Sequence, residues 1–442
     1  MALLKDKIIS IFVTIEQGLI MWLFFIMKEY LSLSEAAELI GKSKETLRRW
    51  DNEGILNAVR EPISNYRVYK TSDIKALMGS LFPEKATDEV SNFVKAQAEY
   101  SVVELFAGAG GLALGLEKAG LKCAALNEID KWACQTLRTN RPSWNVLEGD
   151  VKNFDFSFYK NKADLVTGGF PCQAFSYAGK KLGLKDARGT LFYEFARVVQ
   201  QINPPICLGE NVRGLLSHDS GKTLNGMISI LDEIGYRVVP VRVLRAIDYR
   251  VPQKRERLIL VGIRKDIDVE FEYPKPHSKV YTLKDALKKG DLFDSDVPSS
   301  DGAKYPKYKK EVLDLVPPKG YWRDLPLDIQ KEYMGGSFYL GGGKTGMARR
   351  IGWDEPSLTL TCSPAQKQTE RCHPDETRPF TVREYARIQT FPDSWIFAGP
   401  MAQQYKQIGN AVPVNLGEEI GYSLVKFLNE YYATRNQRAV NF

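Results

Sequence analysis

From residue 100 the apolar positions follow two alternating rhythms. Short, nearly continuous apolar runs stand at 101–106, 122–127, 164–168, 206–209, 237–243 and 258–263, with helical spacing in several of the gaps. Runs of that length read as buried strands, and their alternation with helices predicts a doubly wound α/β sheet. The first run, Ser101-Val102-Val103-Glu104-Leu105-Phe106, leads into the turn Ala107-Gly108-Ala109-Gly110-Gly111 and a helix through Lys118. After Arg264 the alternation fades into loops rich in Lys, Tyr, Pro and Gly as far as 380. Helical periodicity returns at 382–390 and 414–430.

The front of the chain is written differently. Ser32-Leu33-Ser34-Glu35 is a capping box that opens a short helix through Ala36, Ala37, Leu39 and Ile40, broken by Gly41. Ser43 caps a second helix, Lys44 to Glu53, carrying Arg48, Arg49 and Trp50, and Gly54 ends it. Asn65-Tyr66-Arg67-Val68-Tyr69 alternates like a small strand, and Ser72-Asp73 opens another helix at Ile74. Two short helices round a tight turn, followed by a strand pair, outline a winged helix-turn-helix. Residues 29–79 resemble the DNA-binding domain of MerR-type regulators and excisionases, which implies DNA contacts from Arg48 and Arg49. A small helical interaction domain is the other reading. Residues 80–99, broken by proline and rich in charge, are expected to be a linker.

Upstream, Ile8–Met27 approaches the length and apolarity of a membrane span. Glu16, Gln17 and Gly18 interrupt its middle, where a carboxylate is costly in lipid, and no small-residue cleavage site follows. The readings are an extension ahead of the working start, a packed or interfacial helix, or an anchor. The first is expected: residues 1–26 dispensable, Met27 the start, and no stable membrane association.

Composition narrows the classes. The 442 residues, 44% hydrophobic and 26% charged, fit a globular protein of two or three domains and exclude disordered or fibrous chains. Lys and Arg outnumber Asp and Glu by 61 to 54, a mild excess that suits a polyanionic partner without proving one. The six cysteines, at 123, 134, 172, 207, 362 and 372, are scattered and lack paired CxxC spacing. No disulfide framework or metal site is expected, and a reducing cytoplasm is.

The chemistry sits at strand ends. Gly108, Gly110 and Gly111 allow backbone amides at a helix start to approach a ligand, a weak signal alone. Glu128 ends the second strand, where an acidic residue bonds ribose hydroxyls, and Gly149-Asp150 ends a third, placed for an adenine amine. Together they describe an adenosine-containing cofactor, and the lack of a following Lys excludes a P-loop. Gly169-Phe170-Pro171-Cys172 and Glu210-Asn211-Val212 follow two further strands, so Cys172 and Glu210 should converge on one pocket. In Gln253-Lys254-Arg255-Glu256-Arg257, period-2 spacing sends Arg255 and Arg257 to one side.

In this order the motifs resemble the DNA (cytosine-5) methyltransferase family of bacterial restriction–modification systems. The resemblance covers roughly 100–435. It rests on FAGAGG at 106–111, GFPCQAFSYAGKKLGLKDARGTLF at 169–192, ENV at 210–212, QKRER at 253–257, RPFTVREYARIQTFPDSW at 378–395 and QIGNAVP at 407–413. It implies S-adenosyl-L-methionine as cofactor, bound by Phe106, Gly108, Gly110, Gly111, Glu128, Ile129, Asp150, Val151, Asn410 and Val412. Ile129 stands where relatives often carry an aromatic. It implies Cys172 as the thiolate that adds to C6 of a flipped cytosine, making C5 nucleophilic, and Glu210 as the group sharing a proton with N3. A carboxyl doing this needs a raised pKa, which a dry pocket supplies. Arg257 would bond the cytosine and steady Glu210, while Arg255 and Arg188 meet phosphate. The loop 173–190, with Ser176, Lys180 and Arg188, would close over the DNA.

The expected layout is a catalytic and cofactor-binding domain at 100–270, a target-recognition domain at 271–400, and a C-terminal helix at 401–442 returning to the first. The expected partners are double-stranded DNA and, functionally, a cognate restriction endonuclease, with the protein monomeric. Two alternatives stay open. Methylation of a structured RNA is disfavoured by the long variable region and the front domain. A transcriptional regulator with an inert methylase is disfavoured by intact Cys172, Glu210, Arg255 and Arg257.

Overall fold

The structure, a computed structural model, describes residues 28–40, 44–52, 54–61, 66–81, 91–171, 191–340 and 344–440. The apolar run 8–27 lies outside them. No helix among the described residues is long and apolar enough to cross a membrane. The chain divides into two compact units, Met1–Glu84 with Leu216–Lys222, and Lys85–Leu215 with Thr223–Phe442.

In the first unit, helices Leu33–Ile40 and Lys44–Asn52 pack beside a three-stranded antiparallel sheet. Its order is Tyr30–Ser32, Arg67–Lys70, Ala58–Arg60. The capping box forms: Ser32 N–H donates to Glu35 Oε2 at 2.8 Å, and Glu35 N–H to Ser32 Oγ at 3.3 Å. Leu31, Ala36, Leu47, Trp50, Tyr69 and Ile74 make the core, leaving Arg48 and Arg49 exposed. Asp51, at the end of the second helix, accepts from Ala58 N–H (2.7 Å) and Arg67 Nε (2.6 Å), which ties the strand pair to that helix.

The second unit is built on one twisted sheet. Its elements run β1 (Tyr100–Leu105), α1 (Gly111–Lys118), β2 (Leu121–Glu128), α2 (Lys131–Asn140), β3 (Val146–Glu148), β4 (Leu165–Gly168), α3 (Leu191–Ile202) and β5 (Ile206–Val212). There follow α4 (Lys222–Glu233), β6 (Tyr236–Val238), β7 (Arg242–Arg245), β8 (Gln253–Lys254), β9 (Glu256–Arg264), β10 (Ser357–Leu358), α5 (Val382–Ile388), α6 (Met401–Asn410) and α7 (Val414–Val440). The sheet order is β7-β9-β5-β4-β1-β2-β3, with β6 also on β9. The β5-β4-β1-β2-β3 run is parallel, and β9 is antiparallel to β5, β6 and β7. Because β2 lies on one side of β1 and β4 on the other, the carboxyl ends of β1 and β4 flank the switch point where such sheets bind ligands.

Helix α7 lies along α1 at backbone contact. A Cβ on Gly115 would stand 2.5 Å from Val414 O, and one on Gly421 would stand 2.5 Å from Ala119 Cβ. Leu112 and Leu116 of α1 and Leu416, Ile420 and Leu424 of α7 join the strands in one core. A second core gathers Ala113, Leu114 and Leu137 with Tyr385, Phe391, Trp395 and Ile408. A third, around Leu313, Trp322, Tyr333 and Met347, belongs to the loop-rich region alone.

Three details refine the expected layout. The run 237–243 is not one strand, because Pro240 has no N–H for a ladder and separates β6 from β7. The sheet's core continues past 270, with Val269 and Phe271 both in it, and residues of 380–411 pack against α1 and α2. The linker does not extend to 99, since Asn92 bonds Glu419 and Lys275, and Gln97 N–H donates to Asn429.

Candidate active site

After β1 the chain turns through two left-handed residues, Phe106 (φ 57°) and Gly108 (φ 55°), before Gly110 (φ 81°) caps α1. A phenylalanine at positive φ is strained, and such strain persists only where neighbours enforce it. Here Ala107 N–H donates to Asn127 O at 3.0 Å, and Gly108 N–H to Glu128 Oε2 at 2.7 Å. Glu128 Oε1 accepts from Ile129 and Asp130 N–H, both at 2.8 Å. Three backbone amides fix this carboxylate and leave one of its four acceptor sites. Next to it Ile129 is 68% exposed, and Asp150 caps the turn at Val151. Phe106, Gly108, Glu128, Ile129, Asp150 and Val151 line one cavity of about 680 Å³, which Asn410 and Val412 complete.

The opposite wall comes from β4, β5 and β9. Glu210 and Arg257, each about 90% buried, pair at 2.5 Å between Oε1 and Nε. A Cβ on Gly169 would stand 3.2 Å from Glu210 Oε2, so glycine keeps that oxygen uncrowded. Asn211 Nδ2 donates to Phe170 O at 2.7 Å and fixes the course of the chain into Pro171. Under this wall lies Glu104, in the middle of β1. Burial pushes its carboxyl up to about 8, so it is a neutral acid through most of the physiological range.

Arg255 is held from below the cavity wall. It is 2% exposed and donates to Leu360 O (3.2 Å), Gly409 O (3.0 Å) and Asn410 O (3.4 Å). Burial, with Arg257 nearby, pulls it down to about 9, still charged at neutral pH. Its guanidinium bonds three carbonyls and joins the recognition region to α6, at the wall of the cavity.

Of the residues singled out from sequence, Phe106, Gly108, Gly111, Glu128, Ile129, Asp150, Val151, Glu210, Arg255, Arg257, Asn410 and Val412 line the one cavity. Gly110 does not. Its left-handed φ and its closeness to Leu137 make it a packing glycine. Gly111 also has a packing reason, because a Cβ there would stand 2.1 Å from Val412 O. Cys172, Ser176, Lys180 and Arg188 lie outside the described residues, and Arg48 and Arg49 stand exposed in the first unit. Sequence reasoning missed Glu104 and Cys362. The signal for Glu104 was a carboxylate inside an apolar strand. Cys362, whose thiol donates to Asn410 Oδ1 at 2.9 Å, gave none.

The profile of the C-5 cytosine-specific DNA methylase family matches residues 100–426, and that of the MerR HTH family regulatory proteins matches 31–79. The chain is similar to the Type II methyltransferase M.Eco47II of Escherichia coli, 63% identical over 92% of this chain and 98% of the relative. It is also similar to the Type II methyltransferase M.PspPI of Psychrobacter sp. (strain TA137), 54% identical over 90% and 97%. A solved mutant of Spodoptera frugiperda DNMT2 covers 74% of this chain and 99% of its own at a TM-score of 0.53 and 18% identity, a likeness of fold. The chain belongs to the C-5 cytosine-specific DNA methylase family, a DNA cytosine-5 methyltransferase with a MerR-type helix-turn-helix at its front.

Proposed function

We propose that the protein transfers a methyl group from S-adenosyl-L-methionine to carbon 5 of a cytosine flipped out of a specific double-stranded DNA sequence, as the modification enzyme of a restriction–modification system. One observation carries the reading. A single cavity joins the amide-rich turn and acidic strand ends of an adenosine site to the Glu210–Arg257 pair, and Pro171 and Leu191, the residues flanking Cys172–Thr190 in the chain, both line it.

The residues present fit that cofactor. Glu128 keeps one acceptor for a ribose hydroxyl, Asp150 offers a carboxylate to an exocyclic amine, and Ile129 offers an apolar surface to a ring. When bound, the cofactor supplies a methyl group on a sulfonium. The rest falls to the protein. Cys172, as thiolate, adds to C6 and turns C5 into a carbon nucleophile. Glu210 holds a proton at N3 while the thiolate adds, and Arg257 keeps the carboxyl oriented. Loss of the C5 proton then lets the C6–S bond break.

Flipping the base costs a few kcal/mol, which contacts to the strand must offset. Ser176, Lys180 and Arg188 in the loop 173–190 are the proposed closing contacts, and Arg48 and Arg49 bind duplex separately from catalysis. The expected setting is a cytoplasmic monomer sharing its target site with an endonuclease. Tritiated-methyl transfer from S-adenosylmethionine to duplex DNA and to tRNA tests the reading. Labelling of the duplex, lost in Cys172→Ala, is expected; labelling of tRNA alone would replace DNA by RNA as the substrate.

A further inference from the structure

The third core, in the loop-rich region, borders a buried polar cluster that the chemistry above does not use. Lys309, on the helix Lys307–Asp314, and Glu370 are both buried and pair at 2.6 Å between Nζ and Oε1. The Glu370 carboxylate also accepts from Tyr333 OH, on the helix Leu327–Met334, and from Ala348 N–H. Lys309 Nζ donates in addition to Ala365 O at 2.7 Å. Two charged side chains thus fasten two helices and two loop segments at one point.

Such a pair is a poor way to gain stability. Each charge loses its water, and apolar side chains of similar volume often fill such a site as well or better. What a buried pair adds is direction: fixed donors and acceptors permit one register, where apolar contacts tolerate sliding. The segment held in register is 363–369. Its base is closed by the Thr361 and Thr369 hydroxyls at 3.1 Å, and its middle is tied to Lys309 through Ala365 O. Glu370 follows it, and Arg371 then joins Glu370 O (2.6 Å) to Thr359 O (2.9 Å). Thr359, Thr361 and Cys362 line the active-site cavity, and Cys362 is exposed, so the loop leaves from the open rim of that cavity. Gln366, Lys367 and Gln368 are exposed along it, and Lys367 Nζ lies over the ring of Tyr333 at 4.8 Å.

We propose that the Lys309–Glu370 pair is a positioning device for target discrimination. It holds the loop 363–369 in one register at the rim, where a duplex delivering a base to the cavity arrives, and that fixed register separates the target sequence from near matches. The inference rests on the DNA-methylating reading above. Lys309 and Glu370 are positioning residues, acting through the loop.

The test uses the full-length protein, a duplex carrying the methylated site, and duplexes with one base pair of that site changed. In Lys309→Met/Glu370→Leu both charges are replaced together, so no unpaired charge stays buried, and the urea midpoint should stay close to that of the wild type. Its ratio of kcat/KM between the target and the changed duplexes should nevertheless fall on the order of tenfold, the size of one base-pair preference. Its kcat on the target and its affinity for S-adenosylmethionine should not change. Glu370→Gln leaves Lys309 buried without its partner and should lower both the midpoint and the ratio. Gln366→Ala/Gln368→Ala, on the exposed loop, should lower the ratio at the wild-type midpoint. A stable Lys309→Met/Glu370→Leu protein that discriminates as the wild type does makes the pair structural only and overturns the proposal. If that protein does not fold, the loop variant decides: wild-type discrimination in Gln366→Ala/Gln368→Ala overturns the proposal, because the pair then positions a loop that separates nothing. An equal loss on every duplex does so too, since it marks a general contact with the strand. In each of these outcomes the wild type still methylates its target. A wild type that methylates no duplex removes the parent reading and the inference together.

Discussion

Replacing Arg255 by methionine keeps most of the side-chain volume and removes every donor. The carbonyls of Leu360, Gly409 and Asn410 then lose the donors that they bond in the folded protein. Hydrogen bonds to a charged group contribute about 1.5–3 kcal/mol each. Two of the three here are of ordinary length and the third, at 3.4 Å, is weak. Relief of the guanidinium's own desolvation offsets part of the loss, as in other buried charged groups. A destabilisation of about 3–5 kcal/mol follows, a large share of a typical folding free energy. The damage should also reach the site, because the same guanidinium holds Asn410 at the cavity. Urea denaturation followed by tryptophan fluorescence measures the first effect, and methyl transfer at saturating DNA the second. If Arg255→Met unfolds at the wild-type urea concentration while its DNA affinity loses one unit of salt dependence, Arg255 is a phosphate contact alone and the stabilising role is refuted.

Glu104→Gln should change how stability depends on pH. An unfolded glutamate ionises near 4.5, whereas the folded carboxyl keeps its proton to about 8, so the folded state loses about 1.4 kcal/mol per pH unit across that window. The variant should therefore gain on the wild type from pH 5 to 7.5 in urea titrations; a constant difference would show that Glu104 ionises normally. Gly115→Ala forces a Cβ against Val414 O and Glu418 N and should cost about 1–3 kcal/mol in denaturation, and a wild-type midpoint would mean the α1–α7 contact is loose. Cys362→Ala removes the thiol that orients the Asn410 amide, and a bond of that kind corresponds to a rise of about 2- to 10-fold in KM for S-adenosylmethionine with kcat nearly unchanged. An unaltered KM would leave Cys362 without a part in cofactor binding.

What was legible in the sequence was local or periodic. The capping box at Ser32 and Glu35 depends on residues three apart, and the apolar runs that became β1, β2 and β4 were strands whatever else surrounded them. The order of the strand-end motifs was legible too, since a parallel sheet brings the ends of β1, β4 and β5 to one edge. What was not legible depended on distant partners. Arg255 looked like a surface cation because nothing local shows that the carbonyls of Leu360 and Gly409 close over it. Gly110 and Gly111 read as ligand-cradling glycines, yet their limits are set by Leu137 and Val412. Residues 91–99 read as linker by composition, while their bonds go to Glu419 and Asn429 on the last helix. Glu104 was visible as an anomaly, but its consequence, a neutral acid beneath the Glu210–Arg257 pair, needed its burial.

Bisulfite sequencing of DNA from a host expressing the full-length protein tests the central claim most directly. Wild-type protein should leave one cytosine of one recurring sequence protected throughout the genome, and Cys172→Ala, produced at the same level, should leave none. Protection that persists in Cys172→Ala would contradict the covalent role of that thiol, and a wild-type genome with no protected cytosine would contradict DNA methylation itself.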